Sequence, residues 1–138
     1  MIVGIDPDIS KSGVAWLHDD DLLDMNTANF VETLNFIRYN KSIIKCVYLE
    51  AGWLNQKSNW HGASNMSVAS SIGRKVGENH ATGKLLQQCI EAEQIKVVLV
   101  KPTQTKLDAK QFARLTGYVG STNQEKRDAA LLIFGRRA

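Results

Sequence analysis

The first part of the chain alternates short apolar runs with polar turns. Residues 1–6 are apolar up to a terminal aspartate, and the run "SGVAWLH" at 12–18 follows the turn "PDISKSG". A third short run, Leu22 to Met25, comes after the acidic turn "HDDD". Short apolar runs bounded by Gly, Pro, Asp and Ser are typical of strands. The pattern therefore predicts three strands joined by hairpin-like turns.

The apolar spacing then changes from strand-like to helical. Phe30, Leu34 and Ile37 recur at intervals of three and four within the stretch 27–40, which predicts a helix capped by Thr27 or Asn29. The run "IIKCVYLE" at 43–50 is β-branched and mostly apolar, so it predicts a fourth strand.

The second half reads as long helices around one more strand. After a loop at 51–62, a helical pattern runs from Ala63 to Glu93, with a break expected between Gly73 and Gly83. The run "IKVVLV" at 95–100 predicts a fifth strand buried on both faces. Two further helices are predicted, at 105–118, ended by Gly117, and at 123–137.

The order of these elements predicts one α/β domain over residues 1–138. Three hairpin-linked strands followed by helical crossovers give a mixed five-stranded sheet, three strands antiparallel and then two parallel, flanked by helices. The 43% hydrophobic and 22% charged composition is that of a globular domain. No apolar run reaches the length of a membrane span and no basic segment precedes the first strand, so we expect a cytoplasmic protein without a membrane partner. The two cysteines are isolated and predict reduced thiols.

Four acidic residues stand where isolated carboxylates would be costly. Asp6 and Glu50 each end a strongly apolar strand, and the two strands should be neighbours in such a sheet. Glu125 and Asp128 are three residues apart and share one face of the last helix. Converging carboxylates raise one another's pKa unless a hard cation binds between them. The sequence thus predicts a site for two Mg²⁺ ions, with Mn²⁺ as a substitute, that hydrolyses phosphodiester bonds.

Each acid also has a plain structural interpretation. Glu125, in the first turn of its helix, would be stabilised by the helix dipole, and Asp128 would form a salt bridge with Lys126 or Arg127. Asp6 and Glu50 are harder to explain as solvated surface acids, because both follow apolar strands. The site is favoured for these two and for Asp128, and less strongly for Glu125.

Five segments in order resemble the motifs of RuvC-like Holliday-junction resolvases, which belong to the RNase H-like superfamily. They are "GIDPDISKSGVAW", "VYLEAGW", "SSIGRKVGENHA", "VVLVKPTQTK" and "NQEKRDAALLIFG". The resemblance implies an RNase H-like fold and catalytic, metal-binding roles for Asp6, Glu50, Glu125 and Asp128. Glu125 stands where the family often has Asp, which keeps the charge and lengthens the arm.

The resemblance also implies which residues contact DNA. Lys106 and Lys110 resemble lysines that hold phosphate near the cleavage point, and Trp53 falls where the family places an aromatic wedge. The same loop continues through Lys57 and Trp60, so which ring stacks on bases stays open. Arg74 and Lys75 lie in the "GRKVG" stretch, which resembles the part of the long helix that faces DNA and the partner subunit. The net charge of +3 is compatible with a nucleic-acid partner.

These observations favour a homodimeric, Mg²⁺-dependent endonuclease that resolves four-way DNA junctions in recombination and repair. A two-fold junction needs two matched nicks, which a symmetric dimer supplies, and the long helix with its small residues is the candidate interface. Three alternatives stay open at this stage. They are a related nuclease acting on flaps, forks or RNA–DNA hybrids, a non-catalytic junction-binding protein, and a sugar-kinase-like ATP-binding fragment, which the short chain disfavours.

Overall fold

The computed structural model describes residues 1–55 and 66–137 of the chain. In these ranges the elements, in order, are β1 (Ile2–Asp6), β2 (Ser12–Leu17), β3 (Leu23–Ala28), α1 (Phe30–Tyr39), β4 (Cys46–Glu50), a single 3-10 turn (Gly52–Leu54), α2 (Met66–Ala92), β5 (Val97–Val100), α3 (Ala109–Thr116) and α4 (Gln124–Leu131). No helix in the described ranges has the length and apolar character needed to cross a membrane.

The strands form one mixed sheet in the order β3-β2-β1-β4-β5. β1 pairs antiparallel with β2, and β2 pairs antiparallel with β3. β4 lies parallel to both β1 and β5. The predicted sheet of three antiparallel strands followed by two parallel strands is confirmed. Its two central strands, β1 and β4, are those that end in Asp6 and Glu50.

Both faces of the sheet are covered, which explains why β1 is apolar at every position before its aspartate. Val3 and Ile5 face a core shared with α1 and α2, whereas Ile2 faces a second core shared with α3 and α4. Successive strand residues point to opposite faces, so a strand covered on both sides has no solvent-facing position to give to polar residues.

Helix α4 lies unusually close to the sheet, and two glycines make the approach possible. A Cβ atom at Gly4 of β1 would come within 2.3 Å of the Ala129 carbonyl oxygen. One at Gly13 of β2 would come within 2.0 Å of the Glu125 carbonyl oxygen. Because real Cβ contacts are never this short, only glycine fits at either position. The close approach brings α4 beside the carboxyl end of β1.

The expected break in the long helix is wrong. Residues Met66–Ala92 form one continuous helix through Gly73, Gly77 and Gly83. An interior glycine costs a helix only about 1 kcal/mol relative to alanine, which the packing of the C-terminal half outweighs. Gly83 has its own packing reason, because a Cβ atom there would lie 2.5 Å from the Trp53 ring.

Candidate functional site

The first two acids meet at the centre of the sheet. Ile5 of β1 is in register with Leu49 of the parallel strand β4, so Asp6 and Glu50 are the next residues along both strands. Their carboxyl groups lie close enough together for Glu50 to raise the pKa of Asp6. This contact between two acids needs a proton or a cation, because two ionised carboxylates repel each other.

The proximity of these acids changes the protonation of Asp6. Burial, followed by the charge and the hydrogen bond of Glu50 and the charge of Asp128, raises the pKa of Asp6 to about 9. Lys106 acts in the opposite direction and lowers it. Without a divalent cation, Asp6 therefore holds a proton at neutral pH. Hard cations favour the same oxygen atoms, so one bound at this pair would displace the proton.

Asp128 completes the group from α4. One of its oxygens, Oδ2, accepts a hydrogen bond from Lys106 Nζ at 2.7 Å, and the other, Oδ1, accepts one from Gln124 Nε2 at 2.8 Å. Burial alone would lower the pKa of Lys106, but the hydrogen bond and charge of Asp128, with the charges of Glu50 and Asp6, raise it. The site thus combines three carboxyl groups with one lysine that faces all of them.

Three hydrogen bonds donated by Arg127 hold this end of α4 in place. Arg127 donates to the Leu107 carbonyl oxygen and to Thr122 Oγ1, at 2.9 Å in each case, and to Gln124 Oε1 at 3.3 Å. The salt bridge between Asp128 and its sequence neighbour Arg127, which the sequence had allowed, is therefore not formed. Sequence reasoning missed Gln124, although its spacing of four residues from Asp128 places the two side chains on one helical face.

Glu125 lines a different cavity from the other three acids. It lines a cavity of about 340 Å³ together with Asp8, Ser10, Lys11, Thr27, Lys75 and Asn123. The cavities that contain Asp6, Glu50 and Asp128 do not include it. The structure thus brings three of the four predicted acids together, and a metal-binding role for Glu125 stays a prediction.

Trp53 forms part of the wall beside the acidic pair. A cavity of about 160 Å³ is lined by Asp6, Glu50, Trp53 and His80, among others. The indole packs against Gly83, and its centroid lies 6.3 Å from that of His80 in an edge-on arrangement. Burial, and then the charge of Lys84, lowers the pKa of His80, which keeps the imidazole neutral at physiological pH. In this arrangement Trp53 is half-buried, and a stacking role for it stays a prediction.

Asn79 joins α2 to the loop after β1. Its Oδ1 accepts a hydrogen bond from the Ile9 backbone N–H at 2.9 Å, and its Nδ2 lies 3.5 Å from Asp8 Oδ2. Asn79 and His80 were both missed as site-lining residues. Both lie in the segment "SSIGRKVGENHA", but which face of α2 meets the two loops depends on how the helix packs.

The predicted DNA-binding cations are placed differently from one another. Lys106 is inside the acidic group, whereas Lys110 is exposed on the first turn of α3. Arg74 and Lys75 are exposed on α2. Lys57 and Trp60 lie outside the residues that the structure describes.

The donor chemistry suits a hard divalent cation, although the ligands are not assembled for one. Asp6, Glu50 and Asp128 offer carboxylate oxygens, the type that Mg²⁺ and Mn²⁺ prefer. Among residues 1–55 and 66–137, however, no three His, Cys, Asp or Glu side chains are arranged to hold an ion as they stand. Asp128 is instead hydrogen-bonded to Lys106 and Gln124.

Comparison with known proteins supports the same architecture. No protein-family model matches the chain, and no curated protein matches it in sequence. Among solved structures, it is similar to T. thermophilus RuvC in complex with Holliday junction substrate, with a TM-score of 0.50 and 13% sequence identity. The match covers 96% of this chain and 89% of that chain. At this identity the similarity shows the fold alone, which this chain shares with that RuvC structure.

Proposed function

We propose that this protein is a metal-dependent endodeoxyribonuclease that resolves four-way DNA junctions by paired nicks. The observation that carries the proposal is the meeting of Asp6, Glu50 and Asp128 at the carboxyl end of two central strands, beside Lys106. The RuvC-like fold supports this interpretation, since the similar structure was solved with a Holliday junction substrate.

The chain's own residues would perform three tasks. Asp6 and Glu50 supply the oxygen ligands at the sheet, and Asp128 supplies a further carboxylate from the helix. Lys106, which is half exposed, supplies a positive charge for the phosphate next to the bond that is cut. When bound, two Mg²⁺ ions would activate water and stabilise the leaving 3′ oxygen.

We also propose that the active form is a homodimer that pairs through α2. The helix buries none of its described residues before Thr82, and Met66 at its start is 79% exposed. Exposed small residues such as Ser70 and Gly73 on this helix would allow a second copy to approach closely. Two copies related by a two-fold axis would present two acidic groups to a junction of the same symmetry.

A nicking assay on synthetic DNA tests the proposal. The substrates are a four-way junction, a linear duplex, a 5′ flap and an RNA–DNA hybrid, each with Mg²⁺ or with EDTA. We expect paired nicks in opposite strands of the junction with Mg²⁺ only. Asp6→Asn and Asp128→Asn should each lower the rate by about 100-fold or more while binding of the junction is kept. Asp21→Asn is the matched control, because Asp21 is an exposed turn residue with a positive φ that asparagine tolerates.

Other outcomes would point elsewhere. Full activity of Asp6→Asn would contradict the assignment of the acids. Faster cutting of the flap or hybrid would indicate the related-nuclease alternative, and a single nick by a monomer, seen by sedimentation with bound junction, would contradict paired resolution. Specific junction binding without cleavage under any metal would indicate the non-catalytic alternative.

A further inference from the structure

Both carboxylate oxygens of Asp128 are already engaged. Gln124 donates to Oδ1 at 2.8 Å and Lys106 donates to Oδ2 at 2.7 Å. The Asp128 side chain is only 10% exposed, so it has little room to turn toward a new partner while keeping both contacts. A cation that shared Asp128 with the Lys106 ammonium group would meet a like charge at short distance, so the contact with Lys106 opposes a cation beside Asp6 and Glu50.

The two partners of Asp128 differ in how firmly they are held. Gln124 is one turn earlier on the same helix and accepts a hydrogen bond from Arg127, which two further contacts fix in place. Lys106 lies outside regular secondary structure, and its side chain is 50% exposed. Four flexible methylene groups allow its ammonium group to move several ångströms without moving the backbone. Lys106 is thus the exchangeable partner and Gln124 the fixed one.

We propose that Lys106 is a positioning residue that exchanges between Asp128 and a DNA phosphate, and that a divalent cation takes its place at Asp128. This inference rests on the proposed function and adds a coupling between its two ligands. The metal releases the lysine for DNA, and DNA draws the lysine away from the metal's ligand. Each ligand therefore increases the affinity of the site for the other, as thermodynamic reciprocity requires.

Binding of Mn²⁺ without DNA tests the exchange separately from catalysis. Titration calorimetry, checked by the electron paramagnetic resonance signal of free Mn²⁺, compares the wild type with Lys106→Met, Lys106→Arg and Lys101→Met. Methionine keeps the length of lysine without its charge. Lys101 is the matched control, because it lines the same cavity of about 110 Å³ as Lys106, Glu50 and Asp128.

We expect Lys106→Met to bind Mn²⁺ about fivefold or more tightly than the wild type, because no ion pair then competes for Asp128. Lys106→Arg should stay within about twofold of the wild type, since arginine restores a competing cation. Lys101→Met should also stay within about twofold, because a charge in the cavity is then removed without freeing an oxygen.

Three results would overturn the exchange. Unchanged or weaker binding by Lys106→Met would show that the lysine does not compete with the ion, and it would leave the metal site of the proposed function standing. An equal gain in Mn²⁺ affinity in Lys101→Met would show that the effect comes from removing any positive charge near the site. Failure of all four proteins to bind Mn²⁺ at millimolar concentration would overturn the metal site itself and the exchange with it.

Discussion

Replacing Asp6 by asparagine should stabilise the metal-free protein while it removes the proposed activity. The folded chain keeps a proton on Asp6 up to a pKa of about 9, whereas the unfolded chain releases it near 3.8. Below pH 3.8 both states hold the proton, so the group has no net effect there. As the pH rises from 3.8 towards 9, the unfolded state increasingly loses the proton, and the stability of the fold falls.

The size of this effect follows from the same two pKa values. About three pH units separate 3.8 from neutrality, and each unit corresponds to about 1.4 kcal/mol. Keeping Asp6 protonated in the folded state therefore lowers the free energy of unfolding at pH 7 by at most about 4 kcal/mol. Asparagine replaces the shared proton with an N–H donor to Glu50 and carries no charge to bury. We expect it to recover about 1–3 kcal/mol of the free energy of unfolding, because part of the burial cost of a polar group remains. For a domain of this size, that raises Tm by about 4–12 °C.

Urea unfolding in EDTA from pH 4.5 to pH 8 measures the effect, with Asp21→Asn as the exposed control. The stability gain of Asp6→Asn should grow with pH and should vanish or change sign at the acidic end. Millimolar Mg²⁺ should reverse the order, because a ligand at 100 times its Kd adds about 2.7 kcal/mol to the wild type alone. A variant that is no more stable than the wild type at pH 7, or a gain that does not change with pH, would refute the reasoning.

Three further predictions test the surroundings of the acids. Gln124→Leu should lower kcat about 10–100-fold with little change in the KM for junction DNA, because Asp128 loses its fixed partner; an equal change in KM would contradict a positioning role. Lys110→Ala should lower the log–log salt slope of junction binding by about one unit, whereas Lys41→Ala, which removes an ion pair with Glu93, should not change it. Gly4→Ala should destabilise the fold by more than about 3 kcal/mol in urea unfolding, because its Cβ atom would meet backbone of α4, whereas Gly73→Ala should stabilise it by about 0.5–1 kcal/mol because nothing lies within 4 Å.

The order and pairing of the strands were predictable because the sequence carries them locally. The apolar runs of β1 and β4 are continuous since both faces are covered, and their terminal acids stand out against that pattern. For Asp128, the sequence predicted only the face of the helix on which it lies. Its contact with Lys106 joins residues 22 positions apart and depends on how closely α4 approaches the sheet.

The parts that sequence reasoning missed are those set by helix phase and by packing distance. Whether α2 continues through its glycines depends on the packing of its second half, and the residues before Gly83 do not predict that packing. The position of Glu125 follows from the contact of its backbone with Gly13, which fixes the rotation of α4 over β2. That rotation places Asp128 beside Lys106 and leaves Glu125 at the cavity with Asp8.

The same close approach therefore determines both stability and the proposed chemistry. Helix α4 reaches the sheet only because Gly4 and Gly13 lack side chains, and this approach places the Asp128 charge near buried Asp6. A larger residue at either glycine would move the helix outward and weaken the repulsion that raises the pKa of Asp6. It would also separate the ligands that a divalent cation needs. A substitution that moves the acids apart should thus lower metal affinity, whereas Lys106→Met, which keeps their spacing and frees Asp128 from its ion pair, should raise it. These opposite signs distinguish the two ways of disturbing the site.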